Sequence, residues 1–413
     1  MTHQPMPAKH RWGLTLAASA AAILAPTAPQ AVEMTAGDWK FSASGNVNAH
    51  YIVSKCDDSP AAVAGGLACT AAPGIDDTSS SVSNGLLPAA LAITASTTQS
   101  GYDISANFGL FPGISTNDAS PNLQQGATNL NTALGTTGLD VRQVFLTFGN
   151  DHMGTFLLGR NIGLFGQDAI LGDMTLIGVG AGGGDHAAPA NTSLGSIGLG
   201  YIYTDWLAQI NYTTPDISGF KFTLGIFDPV EPIGNAPTPK SAPGFHGKAA
   251  YKLGDLYLSA TFLSQKQKVA GNAAADYDST AFDIGGKYKA GPVELMAFYY
   301  NGSGVGTTGL FINSSDGLGH ERDSDGFLAQ VTYTFNKTKF GLNYGVSNLD
   351  LANGLDPGGP TLVAKNSKYT LGVYHKLTEN LTLLGEATDI KAKAQNGAEN
   401  KAQTFNIGAF LAF

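Results

Sequence analysis

Three carboxylates, Asp168, Asp173 and Asp185, lie in one long segment of the chain, between residues 162 and 197. The same segment contains an apolar stretch at 174–179, which is unusual for a loop surrounded by water. Packing against an inner wall explains this composition, because it would bury the apolar stretch. The carboxylates would then form the acidic side of a narrow aqueous passage, in which bore and lining charge select solutes. Each carboxylate taken singly could equally serve only the solubility of the loop.

The basic side of such a passage is predicted on the opposing wall. The basic residues predicted there occupy the same alternate positions as the polar residues of their segments. They are Lys221, Lys248 and Lys287, and Asp283 lies beside them. Lys248 is nearest to the middle of its segment. Carboxylates facing these lysines would produce a field across the passage that orients polar solutes.

Sequence signals of catalysis are weak. Gly178-x-Gly180-x-x-Gly183 matches the dinucleotide fingerprint, but no strand–turn–helix unit surrounds it and exported proteins rarely meet NAD. The chain contains neither His-Glu-x-x-His nor Gly-x-Ser-x-Gly. His50, with Asp103, is only a loose candidate for Ser/His or Asp/His chemistry. We therefore predict neither an enzymatic activity nor a cofactor.

Strands must position these side chains, because apolar and polar residues alternate along much of the chain. From 39 to 53 one parity is apolar and the other polar, and the end of the chain from 404 to 413 repeats the pattern. Comparable runs occur in between, each about 9 to 12 residues long, which is the length of a tilted membrane strand. One face of each strand is therefore suited to lipid and the other to water.

The connections between these runs alternate in length. Seven short turns alternate with eight long loops rich in Gly, Asn, Asp and Ser, which makes fifteen connections and hence sixteen strands. This count requires one long strand over 198–213. The consecutive polar residues Thr204-Asp205 interrupt the alternation there and make this strand the weakest assignment. Because a bilayer cannot satisfy an open sheet edge, the strands must close into an all-β, antiparallel transmembrane barrel. Sixteen strands leave an aqueous channel inside.

The composition agrees better with a membrane barrel than with a soluble β-sandwich or a solenoid. Charged residues make up 13% of the 413 residues, about half their share in an average soluble protein. A sandwich would cover one strand face with far more Lys and Glu, and a solenoid would have a fixed short repeat. The 43% of hydrophobic residues argue against disorder. The net charge of -9 gives no reason to expect nucleic-acid binding.

The beginning of the chain has the order of a secretory signal. Lys9 and Arg11 precede an apolar run that is too short to cross a bilayer as a helix. We predict a signal peptide over 1–31, with cleavage after Ala28 as an alternative, and a barrel domain over 32–413. Cleavage removes two basic and no acidic residues, so the formal charge becomes -11.

The chain has two cysteines, Cys56 and Cys69, which lie in a polar stretch. In an exported protein an isolated pair indicates one disulfide that closes a loop. A metal pair and free thiols are the alternatives. Both are disfavoured because no His or second Cys pair lies near in the sequence.

Several segments resemble, in this order, the Gram-negative general porins. Residues 154–161 (Gly-Thr-Phe-Leu-Leu-Gly-Arg-Asn) resemble the segment that leads into loop 3 of that family, the loop folded back into the barrel lumen. Residues 211–220 resemble the strand–turn–strand after loop 3, and 372–378 resemble a tyrosine and Leu-Ser turn near the end. The terminal Phe413 is similar to the signal that such porins present to the barrel-assembly machinery.

The resemblance implies a sixteen-stranded, usually homotrimeric channel of the Gram-negative outer membrane that passes small hydrophilic solutes. It also implies contact with outer-membrane lipid and lipopolysaccharide. Arg142 and Arg160 would join Lys248 at the pore constriction, on its basic wall, although the parity of Arg160 then requires a bulge at Gly159. The direction of Arg142 is undetermined, since both faces of its segment are apolar.

One departure from the family concerns loop 3. It lacks the acidic Pro-Glu-Phe-Gly-Gly tip and has a glycine-rich stretch at 180–184 before Asp185, so the constriction is expected to differ. Two alternatives to a general porin remain at this point. A substrate-specific porin would be expected to have a ladder of Arg or aromatic side chains along one wall. A barrel for adhesion or structural tethering is disfavoured because the loops carry no appended domain.

Overall fold

The computed structural model describes residues 31–58, 61–71, 74, 76–114, 139–182, 192–231, 241–269 and 271–413. Within them it consists almost entirely of antiparallel strands, with one α-helix, α1 (Gln167–Gly172), and short 3-10 turns. No helix in this part of the chain is both long and apolar enough to cross a bilayer. The strands are β1 (Val32–Ala36), β2 (Trp39–Lys55), β3 (Thr78–Ser83), β4 (Ala90–Gln99), β5 (Tyr102–Pro112), β6 (Leu139–Asn150), β7 (Gly154–Ile162), β8 (Trp206–Thr213), β9 (Phe220–Phe227), β10 (Gly244–Leu253), β11 (Leu256–Gln267), β12 (Tyr277–Ala290), β13 (Val293–Ser303), β14 (Asp323–Phe335), β15 (Thr338–Leu349), β16 (Val363–Lys376), β17 (Leu381–Ala394) and β18 (Glu399–Ala412).

The strands close into a barrel because the last strand pairs with β2. β18 pairs with residues 46–55 along one edge of β2. β3 and β4 lie end to end along the other edge of β2, so they share one position in the wall. β1 pairs with β2 beyond the end of β18, where Phe413 and Gly45 exchange backbone hydrogen bonds. The eighteen strands therefore form sixteen wall positions, which confirms the predicted count.

Side chains alternate between an outward and an inward face of the wall. On β12, Phe282 is 48% and Ile284 54% exposed, while Asp283 between them is 2% exposed. The same alternation runs along β14 and β16. Polar side chains of the inner face hydrogen-bond across strands, as Ser105 does with Thr147. The apolar outer face suits lipid and the polar inner face suits an aqueous channel, as period 2 predicts.

Short turns join the strands at one end of the barrel and longer connections join them at the other. The seven short turns between β4 and β17 contain two to six residues and confirm the sequence prediction. The hairpin at Gly37-Asp38, between β1 and β2, was not predicted. The longer connections used below are loop 1 (56–77), loop 6 (304–322) and loop 7 (350–362), whereas the connection predicted as a long loop at 393–401 contains only residues 395–398.

The prediction of one long strand over 198–213 is wrong. β8 begins only at Trp206, and residues 198–205 belong to loop 3. Loop 3 spans 163–205, of which 183–191 lie outside the described residues. It is therefore longer than the alternation of apolar and polar residues indicates.

Backbone conformation explains why this strand does not form. Gly198, Gly200 and Asp205 have positive φ angles, which bend the chain out of strand geometry. The backbone N–H of Tyr203 donates to the carbonyl of Thr308 in loop 6 (2.7 Å) instead of to a neighbouring strand. The segment thus alternates in sequence but pairs with another loop.

Loop 3 packs inside the barrel against apolar side chains of the wall and of loop 6. Phe165 of loop 3 meets the Tyr300 ring of β13 edge-on, with 6.4 Å between the ring centroids. Phe311 of loop 6 and Leu328 of β14 belong to the same buried cluster. Burial of this apolar surface favours a loop that lies on the inner wall rather than in water.

An arginine on the outer face should be tolerated only near the rim of the barrel. Ile284→Arg, in the middle of β12, is expected to lower the free energy of unfolding by about 2–4 kcal/mol, because the guanidinium would face hydrocarbon. Leu253→Arg, beside the short turn 254–255, is the control, since an interfacial Arg costs about 0–1 kcal/mol. Urea titrations of folding into phospholipid vesicles measure both. Equal costs would contradict the assignment of the outer face.

Candidate functional site

Side chains on the inner face of the wall hold loop 3 by hydrogen bonds. The Asp283 carboxylate of β12 accepts the backbone N–H of Gly166 (2.8 Å). The Gln330 side chain of β14 accepts the N–H of Met174 (2.9 Å) and donates to the carbonyl of Gly172 (2.7 Å). Buried backbone groups of an irregular segment need such partners. Strands that are distant in sequence therefore fix the path of loop 3.

Glu386 of β17 accepts four hydrogen bonds where loop 3 crosses it. Its Oε2 accepts the backbone N–H groups of Val179 and Gly180, both at 2.8 Å. The Tyr374 hydroxyl donates to Oε1 (2.6 Å), and the Asn406 side-chain amide donates to Oε2 (3.0 Å). These donors satisfy a carboxylate that is only 5% exposed. Glu386 is thus the main anchor of the second part of loop 3.

The glycines of the dinucleotide-like pattern have a structural explanation. A Cβ on Gly178 would lie 2.1 Å from Oε1 of Glu386, so a side chain at this position would collide with the anchor. Gly180 has a φ of 56° and lies against the backbone of Gly195. Gly183 lies outside the described residues. The first two glycines therefore serve close packing, and the described residues around them contain no strand–turn–helix unit of the kind that the fingerprint requires.

Asp168 and Lys248, both predicted at the constriction, are in direct contact. The Lys248 ammonium of β10 lies 2.7 Å and 2.8 Å from the two carboxylate oxygens of Asp168 in α1. Gln167 accepts a further hydrogen bond from this ammonium (2.9 Å), and the Tyr257 hydroxyl donates to Asp168 (3.1 Å). Burial opposes ionisation of Asp168, but Lys248 outweighs it and lowers the pKa of this carboxyl. The two charges form one ion pair rather than opposite sides of a bore.

Asp173 is part of loop 3 itself and is 3% exposed. It caps the 3-10 turn that follows, by accepting hydrogen bonds from the backbone N–H (3.0 Å) and hydroxyl (2.8 Å) of Thr175. It also accepts from the Tyr201 hydroxyl (3.0 Å) and from the Asn343 amide of β15 (3.3 Å). Burial, followed by the charge of Asp173, raises the pKa of Tyr201 well above its ordinary value. Asp185, the third predicted carboxylate, lies outside the described residues.

Arg142 points inward because of a β-bulge in β6. The register with β5 shifts so that Arg142 is an extra residue, and both Arg142 and Gln143 are buried. Its Nε donates to Asp140 (2.7 Å), and its guanidinium carbon lies 5.0 Å from the centre of the Phe111 ring. The Trp206 ring lies on another side at 6.0 Å. In the sequence, the bulge is indicated by the loss of alternation between apolar and polar residues in this segment.

Arg160 occupies a position of the outer parity, opposite Val144 of β6 and Ala208 of β8. The bulge predicted at Gly159 is wrong, because the register continues without a shift although Gly159 has a φ of 127°. Burial raises the pKa of Asp205 at the end of loop 3, while Arg160 and Arg142 oppose this rise. Both arginines are therefore within electrostatic reach of Asp205.

The anchors Asp283, Gln330 and Glu386 were not predicted as residues that hold loop 3. Each has the inward parity near the middle of a membrane strand. An ionisable residue at such a depth is costly and indicates a specific partner, so for Asp283 and Glu386 the sequence contains a signal. The identity of that partner depends on loop 3 and is not visible in the sequence.

Loops 1 and 7 meet at the end of the barrel opposite the short turns, where loop 6 binds loop 3. The predicted disulfide is confirmed, since Cys56 and Cys69 are bonded within loop 1. The backbone N–H of Ala64 in loop 1 donates to the carbonyl of Thr361 in loop 7 (2.9 Å). These contacts fold the loops over one another at the mouth of the barrel.

Arg322 of loop 6 and Asp356 of loop 7 form a buried bidentate ion pair. Nε and Nη2 of Arg322 donate to the two carboxylate oxygens of Asp356, at 2.7 Å and 2.6 Å. The same carboxylate accepts the backbone N–H groups of Ala352 (2.9 Å) and Gly358 (2.8 Å). The hydrogen bonds from Arg322 hold the pKa of Asp356 well below its usual range. This ion pair ties the two loops together.

Comparison with known proteins places these features in context. A family model described as Gram-negative porin matches residues 14–395. No curated protein matches the chain. The outer membrane channel DcaP of Acinetobacter baumannii is similar in structure, with a TM-score of 0.67 and 14% identity over 92% of this chain and 99% of that one.

Two further solved structures are similar over comparable lengths. The Salmonella typhi OmpF complex with daunomycin has a TM-score of 0.59 and 13% identity, over 92% of this chain and 100% of that one. The trimer form of in-vitro folded OmpT, an outer membrane protein of Vibrio cholerae, has a TM-score of 0.54 and 16% identity, over 91% and 99%. At these identities, the structural similarity establishes the fold.

Loss of the main anchor should loosen loop 3. Glu386→Ala leaves the backbone N–H groups of Val179 and Gly180 without their acceptor, which costs about 1–3 kcal/mol for each buried group. Amide exchange of loop 3 residues 178–182, measured by mass spectrometry, is expected to rise by roughly 5- to 150-fold. Glu379→Ala, in the exposed turn between β16 and β17, is the control. Unchanged exchange in the Glu386 variant would show that the anchor is not needed.

The ion pair between loops 6 and 7 should lose strength only in acid. The pKa of Asp356 is depressed in the folded state, so the pair contributes fully above the unfolded value of about 3.9. Its contribution is lost as pH falls through the depressed value. Asp356→Asn should therefore speed amide exchange of loop 7 at pH 7, whereas the exposed Asp350→Asn should not. Equal exchange in both variants at pH 7 would contradict this role.

Proposed function

Since the chain belongs to the Gram-negative porin family and forms an outer-membrane channel for passive diffusion of small solutes, we propose that this channel narrows at loop 3. We also propose that ion pairs at the narrowing make the channel only weakly selective between cations and anions. Its activity is passive diffusion and not catalysis. The solutes are small and hydrophilic, because the inner face carries many Ser, Thr, Asn and Gln side chains together with charged ones. A passage lined in this way suits many polar solutes.

The contact between Lys248 and Asp168 is the observation that carries this proposal. Two opposite charges about 3 Å apart form a dipole, whose field falls off faster than that of a single charge. Arg142 and Asp140 form a similar pair. These two pairs therefore contribute only weakly to the transverse field expected from carboxylates facing lysines. That Asp185 lies at the constriction stays a prediction.

The proposed assembly follows from the barrel and from the relatives. We propose a homotrimer, which is supported by the similarity to the trimer form of the Vibrio cholerae protein. Residues 1–31 would be the signal peptide, and the mature barrel would begin at residue 32, where β1 starts. The barrel-assembly machinery would read Phe413 before closure, since its backbone pairs with Gly45 at the seam. The lipid partners would include lipopolysaccharide.

Breaking one ion pair should shift ion selectivity in a direction set by the charge that remains. Asp168→Asn leaves Lys248 uncompensated. In planar bilayers with a salt gradient, the reversal potential should therefore shift towards the equilibrium potential of the anion. Lys248→Gln leaves Asp168 uncompensated and should shift the reversal potential towards the equilibrium potential of the cation. Each permeability ratio should change by up to about 5-fold, because a unit charge within ~4 Å of an ion contributes about 1 kcal/mol in water.

Lys266→Gln is the control for this experiment. Lys266 is exposed on the outer parity of β11, so its loss removes the same charge without touching the passage. Its reversal potential should equal that of the unaltered protein. The proposal fails if the two variants of the ion pair also leave the reversal potential unchanged, or if they shift it in the same direction.

A further inference from the structure

The tip of loop 1 is apolar, although the long loops of outer-membrane barrels lie on the external, water-facing side. Residues 61–68 are Ala-Ala-Val-Ala-Gly-Gly-Leu-Ala and contain no polar side chain. Ala68 is buried in one apolar cluster with Ala181 and Leu199 of loop 3. Leu67 packs against the same cluster. The tip therefore lies inside the mouth of the barrel, in contact with loop 3.

Backbone hydrogen bonds hold the tip between the wall and loop 7. The N–H of Leu67 donates to the side-chain oxygen of Asn366 on β16 (3.0 Å). The carbonyl of Ala64 accepts the N–H of Val363 at the start of β16 (2.8 Å). On the side of loop 3, a Cβ on Gly198 would lie 2.7 Å from Cδ1 of Leu67. Leu67 thus lies directly against the backbone of loop 3.

The part of loop 3 beneath the tip is its return limb, defined here as residues 192–200. The backbone N–H groups of Leu194 and Gly195 donate to the carbonyls of Ala181 (3.0 Å) and Val179 (3.1 Å). Val179 is itself held by Glu386. A chain of contacts therefore runs from the wall through residues 179–181 and the return limb to loop 1.

The disulfide closes the ring that carries this tip. Cys56 and Cys69 are bonded, and both are partly exposed. Within the ring, Gly65 has a φ of 80° and is followed by Gly66. Glycine loses more conformational freedom on ordering than any other residue, so an open tip would have many alternatives to its seat on loop 3. Ring closure removes a large share of these alternatives.

We propose that the Cys56–Cys69 disulfide is a redox switch, and that its reduction releases loop 1 from the return limb and widens the passage. The reductant is a small dithiol on the external side. One of its thiolates attacks a sulfur of the disulfide, which breaks the S–S bond and forms a mixed disulfide. Its second thiolate then displaces the protein sulfur, and the dithiol becomes a cyclic disulfide. Two electrons and two protons thereby pass to Cys56 and Cys69, which become thiols.

Amide exchange of the folded full-length protein in detergent tests the release, by mass spectrometry before and after addition of dithiothreitol. Exchange at residues 64–68 should rise by up to about 100-fold, because reduction removes the ring constraint. Exchange at residues 194–200 should rise by roughly 5-fold, which corresponds to exposing half of a leucine side chain to water. Unchanged exchange in the return limb would overturn the inference.

Two sets of variants assign the effect to the disulfide and to the tip. The double variant Cys56→Ser and Cys69→Ser should exchange as the reduced protein does, with or without dithiothreitol. If it does not fold, reduction of the folded unaltered protein still decides. Leu67→Ala should speed exchange in the return limb with the disulfide intact. Leu355→Ala, at a position of loop 7 that is 89% exposed, is the matched control and should not. Equal exchange in both leucine variants would overturn the contact of the tip.

Single-channel recording with neutral polymers of graded size tests the widening. Dithiothreitol should raise the conductance of the unaltered protein and admit larger polymers, and reoxidation should reverse both changes. The double serine variant should not respond to dithiothreitol. A response of this variant equal to that of the unaltered protein would overturn the role of the disulfide.

The inference rests on the proposed narrowing at loop 3, and Glu386→Ala distinguishes the two failures. If this variant widens the passage while reduction speeds exchange of the return limb without changing the conductance, the switch is overturned and the narrowing stands. If neither Glu386→Ala nor reduction changes the conductance, the narrowing at loop 3 is overturned, and the switch with it.

Discussion

The pairing of every backbone polar group within the bilayer is the constraint on which the rest of the structure depends. Lipid offers no partner to an unpaired N–H or C=O, so β18 must return to β2 and close the sheet. Closure fixes two faces with period 2, one for lipid and one for water. The low charge content follows, since one face excludes charge and Ser, Thr and Asn suffice for most of the other. Irregular backbone is confined to the ends and to loop 3.

Loop 3 meets the same constraint inside the barrel, where side chains replace strand partners. Asp283, Gln330 and Glu386 satisfy its backbone, and apolar contacts with loop 6 cover it. Interior charges are therefore used largely as anchors and in pairs, such as Lys248 with Asp168.

Local patterns were enough to predict the barrel, its sixteen wall positions and the disulfide, because these depend on alternation, turn composition and an isolated cysteine pair. The path of loop 3 could not be predicted, since its partners lie on strands far away in sequence. Residues 198–205 kept an alternating pattern while pairing with a loop. Arg142 sits at a bulge, which destroys the period from which direction is inferred. For Arg160 the described register keeps the outer parity without the bulge predicted at Gly159.

The central claim is that loop 3, held on the inner wall, sets the bore of the channel. Neutral polymers of graded size, added during single-channel recording, measure the limiting radius of the passage directly. Glu386→Ala should admit larger polymers than the unaltered protein and should have a higher conductance, because the loop is released from β17. An identical polymer cut-off in both proteins would contradict it.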